Sequence, residues 1–444
     1  AVQLCKAIKN DRLLRRNLDM EQELIDLMYK ATLSTTSDLS VDQIINYINS
    51  PDKTLQLLAI QTYTKLKRET NSSINDMIED GILSRCIELL DCDNVSLQFQ
   101  IASLLTTITS DTSKQMKYIT MDKIIPKLVK LFKSAPIVVE QAVRALGNII
   151  ENKSYVRRLV LQYDALLLLA NFIKSHISVT FMDDISWLLS NLCQKNPPLT
   201  VELIKPVLSV FNCLFNNKNQ YIISDVCRTL SYLTDGSKDN VQAIIETADI
   251  LPKLLECLTL RKETIVLPAL RTLGNIVTIG NDAQKNNVIF AGGLSRLGAV
   301  LRYYLCAKED DIVKEAFWAI FKIIDNMNQI QNAQKIATWT IIALITQGTI
   351  QHLIQLVYAG VLQAFCNLLK SDDNQNIINA LIGMAEILHA TEKIGQTEKL
   401  ATMIKKFGGL EKINDLQYHE NERIYRESLA IINAYFRQRV CISI

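Results

Sequence analysis

The sequence predicts an all-α chain of stacked helical units, and three observations carry that prediction. Related strings recur at a near-constant step, the apolar residues inside them follow a helical period, and chain breakers are few. The strings are ALGNIIENK at 145–153, LLSNLCQKN at 188–196, TLSYLTDGS at 229–237 and TLGNIVTIG at 272–280. They place Asn148, Asn191, Tyr232 and Asn275 at one shared position, in steps of about 43, 41 and 43 residues. In SDVCRTLSYL, Val226, Leu230 and Leu233 fall on one helix face. Only 14 Gly and 8 Pro punctuate 444 residues, too few for the turns of an all-β fold. A chain of this length outgrows one round core, and units that cannot bury an apolar face alone do so by stacking. The last helix of each unit would then line a long concave surface, with one ladder residue per unit. That geometry suits an extended peptide.

Between helices the sequence carries stop signals at Gly236, Gly280, Asn196-Pro197-Pro198 and Gly292-Gly293. The glycine pair reads as a helix terminator, because no strand precedes it and no G-x-x-x-x-G-K-[ST] string occurs. Lys and Arg number 48 against 46 Asp and Glu, so no field of one sign draws the chain as a whole to nucleic acid or anionic lipid. Direct nucleic-acid binding and membrane association are not expected. The apolar run Ala165 to Ala170, which none exceeds, is far short of a membrane span, and no signal peptide is read ahead of the first unit. The ten cysteines (Cys5, Cys86, Cys92, Cys193, Cys213, Cys227, Cys257, Cys306, Cys366 and Cys441) form no C-x-x-C pair and complete no zinc pattern with the histidines. They read as buried thiols of an intracellular protein, with no metal and no cofactor expected. No nucleophile elbow, H-E-x-x-H or paired-carboxylate motif gathers His176, His352, His389 or His419 into a catalytic set, so no enzyme is expected.

Long strings also carry a family resemblance. WLLSNLCQKNPP at 187–198, LSYLTDG at 230–236, PALRTLGNIVTIG at 268–280 and EKIGQTEKLATMIKKFGGLEKINDLQYHENERIY at 392–425 resemble the fourth, fifth, sixth and tenth repeats of importin-α. The resemblance runs over nearly the whole chain and implies a right-handed superhelical armadillo solenoid of about ten repeats. On that basis residues 19–435 form the solenoid and 436–444 a tail. Residues 1–18 resemble the end of the basic segment that binds importin-β. There Lys6, Lys9, Arg12 and Arg15 fall on one helix face, followed by Arg16; composition alone would read a solvated face.

The resemblance implies a nuclear import adaptor that shuttles between cytoplasm and nucleus and takes Lys/Arg-rich signals of cargo proteins in its groove. Its implied partners are cargo, importin-β, an export receptor at the last repeat and, as further candidates, nucleoporins. Family members set Trp and Asn one helical turn apart. The indoles form slots for Lys or Arg stems, and the carboxamides donate to and accept from the peptide backbone. Registered on the strings above, the main groove would use Asn148, Glu151, Asn152, Trp187, Asn191, Asp225, Tyr232 and Asp111, and a second groove Arg271, Asn275, Glu315, Trp318 and Trp339. The basic segment, with Arg15 and Arg16 leading, would lie in the main groove as a tethered competitor.

This sequence departs from the family pattern. Ser103 and Thr107 stand for Trp and Asn in the second repeat, Arg144 for Trp in the third, Arg228 for Trp in the fifth, and Lys322 and Ala343 for Asn beyond the sixth. The pocket for the key lysine maps near Asp111, Met116, Glu151 and Asn152. Arg144 and Lys322 set positive charge where a cationic peptide would lie. An unrelieved contact at 4 Å costs up to about 4 kcal/mol at an effective dielectric of 20, unless Glu151 and Asp225 pair with Arg144. Each tryptophan also has a plain reading as core. Trp318 and Trp339 hold equivalent places only about 21 residues apart, half of one step. Either residues are missing from the sequence around Gln331–Asn332, or a deletion has removed half a repeat. These departures leave a second reading open, an armadillo scaffold for one dedicated partner without general signal recognition.

Overall fold

The computed structural model describes residues 39–70, 81–110, 121–150, 154–174, 177–194, 198–307, 310–325, 341–342, 345, 350–358 and 360–437. All regular structure among them is helical. The chain forms two compact units, Ala1–Pro197 and Pro198–Ile444.

In the first unit the described helices are α1 (Val41–Ile48), α2 (Lys53–Thr70), α3 (Ile82–Leu89), α4 (Val95–Ser110), α5 (Met121–Lys130), α6 (Pro136–Ile150), α7 (Ser154–Leu161), α8 (Ala165–Lys174) and α9 (Val179–Leu192). Long helices alternate with shorter ones, and the long ones pack in sequence, α2 on α4, α4 on α6 and α6 on α9. The core between them is aliphatic, with Leu97, Ile101, Leu104, Val143, Leu146, Ile185 and Leu188 all buried. Repeat stacking thus supplies the apolar burial that one unit lacks.

The second unit repeats the scheme with α10 (Val201–Phe215), α11 (Gln220–Leu233), α12 (Lys238–Glu246), α13 (Ile250–Cys257), α14 (Glu263–Ile279), α15 (Asp282–Phe290), α16 (Gly293–Ala307) and α17 (Asp310–Asp325). It continues through α18 (Ile350–Tyr358), α19 (Val361–Leu368), α20 (Asn374–Glu392), α21 (Thr397–Lys406), α22 (Gly409–Asp415) and α23 (Glu422–Ile431). Here α11 packs on α14, α14 on α17, and α20 on α23. The helix face expected from Val226, Leu230 and Leu233 is buried.

Local chemistry explains where helices begin and end. Ser178 opens α9 by accepting the Phe181 N–H, Asn219 opens α11 by accepting that of Tyr221, and Asn281 with Gln284 forms a reciprocal capping box on α15. Gly236 and Gly292 take the left-handed φ of +86° expected of terminators. Gly280 ends α14 in an extended conformation. The thiols of Cys86, Cys193, Cys227, Cys257 and Cys366 are buried, whereas Cys213 is exposed and Cys92 intermediate. Burial pushes Cys86 and Cys193 up to about 12, which suits packing rather than reactivity. The interval around Gln331–Asn332 lies outside the described residues, as do residues 1–38 and 438–444.

Candidate functional site

The string R-x-L-G-N occurs twice on long helices, Arg144 to Asn148 on α6 and Arg271 to Asn275 on α14. In each copy its polar and glycine positions address the long helices on either side. The arginine reaches forward to an acid on the next long helix. Arg144 Nε donates to Asp184 Oδ2 at 2.5 Å, and Arg271 Nε to Glu315 Oε1 at 2.9 Å. The glycine receives a ring from that same helix, three residues after the acid. A Cβ on Gly147 would lie 2.2 Å from Cζ3 of Trp187, and a Cβ on Gly274 2.2 Å from Cζ3 of Trp318. Only a residue without a side chain lets the indole lie on the backbone so closely.

The asparagine reaches the other way. Asn148 Nδ2 donates to Thr106 O at 3.4 Å and Thr109 Oγ1 at 3.3 Å on α4, and Asn275 Nδ2 donates to Ser231 O at 3.2 Å on α11 and Thr234 Oγ1 at 3.1 Å just beyond it. This corrects the expectation that these carboxamides both donate to and accept from a peptide. Their nitrogens are engaged between repeats, leaving the carboxamide oxygen as the group to accept a peptide N–H.

The two copies differ in how much they show to solvent. In the first unit the ion pair is enclosed: the side chains of Arg144 and Asp184 are 6% and 0% exposed. Glu140 adds a second carboxylate to Arg144 at 2.7 Å. The sequence suggests Glu151 and Asp225 as partners; Glu151 lies outside the described residues, and among those described Asp184 and Glu140 hold Arg144, one repeat on and one turn back. Its charge is therefore sequestered, and the repulsion expected of Arg144 is met from within the fold. Trp187 is 6% exposed, so the open slot expected there is largely closed onto Gly147, and the plain core reading describes it better. Asn191 is buried as well, and its Nδ2 has no hydrogen-bond partner among the described residues. Ser103 is buried, and Thr107 spends its hydroxyl on Ser103 O. Asp111, Glu151, Asn152, Met116 and the basic positions Lys6, Lys9, Arg12, Arg15 and Arg16 lie outside the described residues.

In the second unit, Asp225 is fully buried and its carboxylate holds Arg228 Nη2 at 2.6 Å. It positions that arginine from beneath the surface, a correction to its expected place as a direct ligand contact. Around the second R-x-L-G-N copy the surface opens. The Arg271 and Glu315 side chains are 40% and 24% exposed. A cavity of about 750 Å³ gathers Tyr232, Arg271, Asn275, Glu315 and Trp318, all singled out from sequence, although Tyr232 was assigned to the other groove. It adds Ser231, Asp235, Lys314 and Tyr358, which sequence reasoning missed. Asp235 was legible as the acid three residues after Tyr232; Tyr358 had no register to reveal it. Lys322 is half-buried one turn beyond Trp318, and Trp339 and Ala343 lie outside the described residues.

Chemically, this cavity combines aromatic faces with carboxylates. Trp318, Tyr232 and Tyr358 offer faces to the aliphatic stem and charged head of Lys or Arg, at about 0.5–2 kcal/mol per cation–π contact. Asp235 and Glu315 supply negative charge, against Arg271 and Lys314. Arg271 is already held by Glu315, and Lys314 lies 3.8 Å from Asp311. The two cations are thereby partly balanced before any ligand arrives. Among the described residues no group of three His, Cys, Asp or Glu side chains could hold a metal ion.

Comparison with known proteins agrees with this architecture. A model of the atypical Arm repeat matches residues 398–440. Importin subunit alpha-1b of Oryza sativa subsp. japonica is 33% identical over 426 residues, covering 88% of this chain and 78% of that protein. Importin subunit alpha-1a of the same plant is 32% identical over 480 residues, covering 98% and 88%. Importin subunit alpha-3 of Arabidopsis thaliana is 32% identical over 446 residues, covering 92% and 83%. Among solved structures, an engineered protein superposes with a TM-score of 0.57 at 20% identity, covering 88% of this chain and 98% of its own. A structure from work on a phosphorylation switch between cadherin and beta-catenin superposes with a TM-score of 0.59 at 14% identity, covering 88% and 85%. At such identities these two likenesses speak for the fold alone, an armadillo-repeat solenoid.

Proposed function

The chain belongs to the importin-α family, and on that premise we propose that it is a nuclear import adaptor whose best-equipped cargo surface lies around Arg271, Glu315 and Trp318. The observation that carries this reading is the contrast between the two R-x-L-G-N copies. One is sealed into the first unit, whereas the other lines an open cavity with an indole, two tyrosines and two carboxylates. The ligand is an extended, Lys/Arg-rich segment. Its cationic stems lie on Trp318 and Tyr232, and Asn275 Oδ1 accepts from its backbone. Asn148, Trp187 and Asn191 form a weaker first site that must open before it binds. Engaging both with one segment raises affinity through effective concentration.

Family membership supports the partners of this reading. Importin-β binds the basic segment through Lys6, Lys9, Arg12, Arg15 and Arg16, an export receptor binds the last repeat, nucleoporins bind in transit, and the adaptor shuttles between cytoplasm and nucleus. Unbound, the basic segment competes with cargo. Removing residues 1–17 should therefore tighten binding of a labelled basic peptide by about tenfold or more, given the millimolar effective concentration of a tethered competitor. Unchanged affinity in an anisotropy titration would remove autoinhibition from the account. Among the described residues no helix is long and apolar enough to cross a membrane.

Titration of a fluorescent Lys/Arg-rich peptide tests the main proposal. Trp318→Ala should weaken binding at least tenfold, and Glu315→Gln should weaken it and flatten its salt dependence. Melting curves of both variants separate lost contact from lost fold. The closed first unit favours a second reading, a scaffold for one dedicated partner. If the wild-type chain shows no saturable, salt-sensitive binding, that reading prevails.

A further inference from the structure

The cavity around Trp318 does not end at a plain rim. Its outermost residue, Tyr358 at the end of α18, is 87% exposed and also walls a second cavity, of about 300 Å³. The second cavity has a different character. Leu353, Ile354 and Val357 of α18 face Ile387 of α20 and Leu400 and Met403 of α21. Lys399 is its charged member. The tyrosine thus stands between a polar, carboxylate-bearing hollow and an apolar one of the size that holds a bulky side chain.

Resting on the reading of the first cavity as the cargo surface, we infer that the second is a specificity subsite of the same ligand. It takes a bulky apolar side chain that flanks the basic run. Three observations select this occupant. Tyr358 lines both hollows, so a peptide leaving the Trp318 cavity past that ring comes up against the apolar one. Among the described residues the lining carries no carboxylate and one lysine, which repels a continuing basic run and admits an uncharged residue. The aromatic face of Tyr358 guides the chain across, with its ring on an apolar side chain and its hydroxyl in water. A ligand with Leu, Ile or Phe at the end of a Lys/Arg run uses both.

The test is a peptide series on the full chain, read by anisotropy or calorimetry: a basic heptapeptide, then the same peptide with Leu-Phe added at its amino or its carboxyl end, then with Ser-Ser added as control. One of the two Leu-Phe extensions should tighten binding about tenfold, matching burial of one large apolar side chain. Met403→Glu and, independently, Val357→Asn should abolish that gain while leaving the unextended heptapeptide within about twofold. Both residues are half-buried, so either variant should fold. If neither extension gains over Ser-Ser, or the gain survives both variants, the subsite is overturned while the cationic site stands. Failure of the heptapeptide itself to bind would instead remove the underlying reading. A gain absent from the full chain and present in one lacking residues 438–444 overturns the subsite in favour of the chain's own apolar tail as its occupant.

Discussion

Replacing Asp184 with alanine should lower stability by about 3–5 kcal/mol, a far larger loss than the same change at its counterpart Glu315. Asp184 is fully enclosed and bonded to Arg144, whose own side chain is 6% exposed. Deleting the acid leaves a guanidinium buried with Glu140 as its remaining named carboxylate, and breaking a buried pair from one side is among the costly single changes. The pair in the second unit has the same connectivity with 40% and 24% exposure. Water can take over from Glu315 there, so its loss should cost on the order of 1 kcal/mol or less. Urea denaturation of the two variants under one set of conditions checks the ranking. Equal losses would mean that enclosure does not govern the worth of this ion pair.

Trp187→Ala should likewise cost about 3–5 kcal/mol, the range for removing a large buried aromatic, while changing little the affinity of a short single basic run that engages only the Trp318 cavity. Trp318→Ala should do the reverse, weakening the peptide more than the fold. The reason lies in the surface left to each indole once it rests on its glycine, since Trp187 retains 6% and Trp318 keeps enough to line a cavity. Gly147→Ala probes the same contact from the other side. Helix propensity alone favours alanine by about 1 kcal/mol, but its Cβ would sit 2.2 Å from the enclosed ring of Trp187, so the change should destabilise. A stabilising Gly147→Ala would show that the ring moves aside freely, and the tight stacking would lose its significance.

The fold was legible because its signal is local and repeated. Val226, Leu230 and Leu233 announce a helix face within eight residues, and the step between Asn148, Asn191, Tyr232 and Asn275 announces stacking. Arg271, Asn275, Glu315 and Trp318, which the register groups together, line one cavity. What sequence did not disclose was burial and partnership across repeats. Arg144 reads as a repulsive charge until Asp184, forty residues on, is brought against it. Trp187 and Trp318 occupy identical motif positions, yet one is enclosed and the other borders a cavity. The difference comes from the neighbours packed around each ring. Gly147 and Gly274 attracted no notice because a glycine inside a helix signals weakness locally, and its purpose appears only when the next repeat sets a ring on it. Tyr358 follows the stretch where the register breaks, so no periodic argument could reach it.

The reciprocal ties of the R-x-L-G-N helices also govern how such a gene can lengthen or shorten. Arginine and glycine form half a joint with the repeat ahead, asparagine half a joint with the repeat behind, and each half fits any partner bearing Thr or Ser, or an acid and an indole, at the matching places. Unequal crossing-over between the two copies, about three steps apart, therefore rejoins compatible halves. A crossover out of step orphans one cation, one ring and one carboxamide together, which gives selection a ready means of keeping the period.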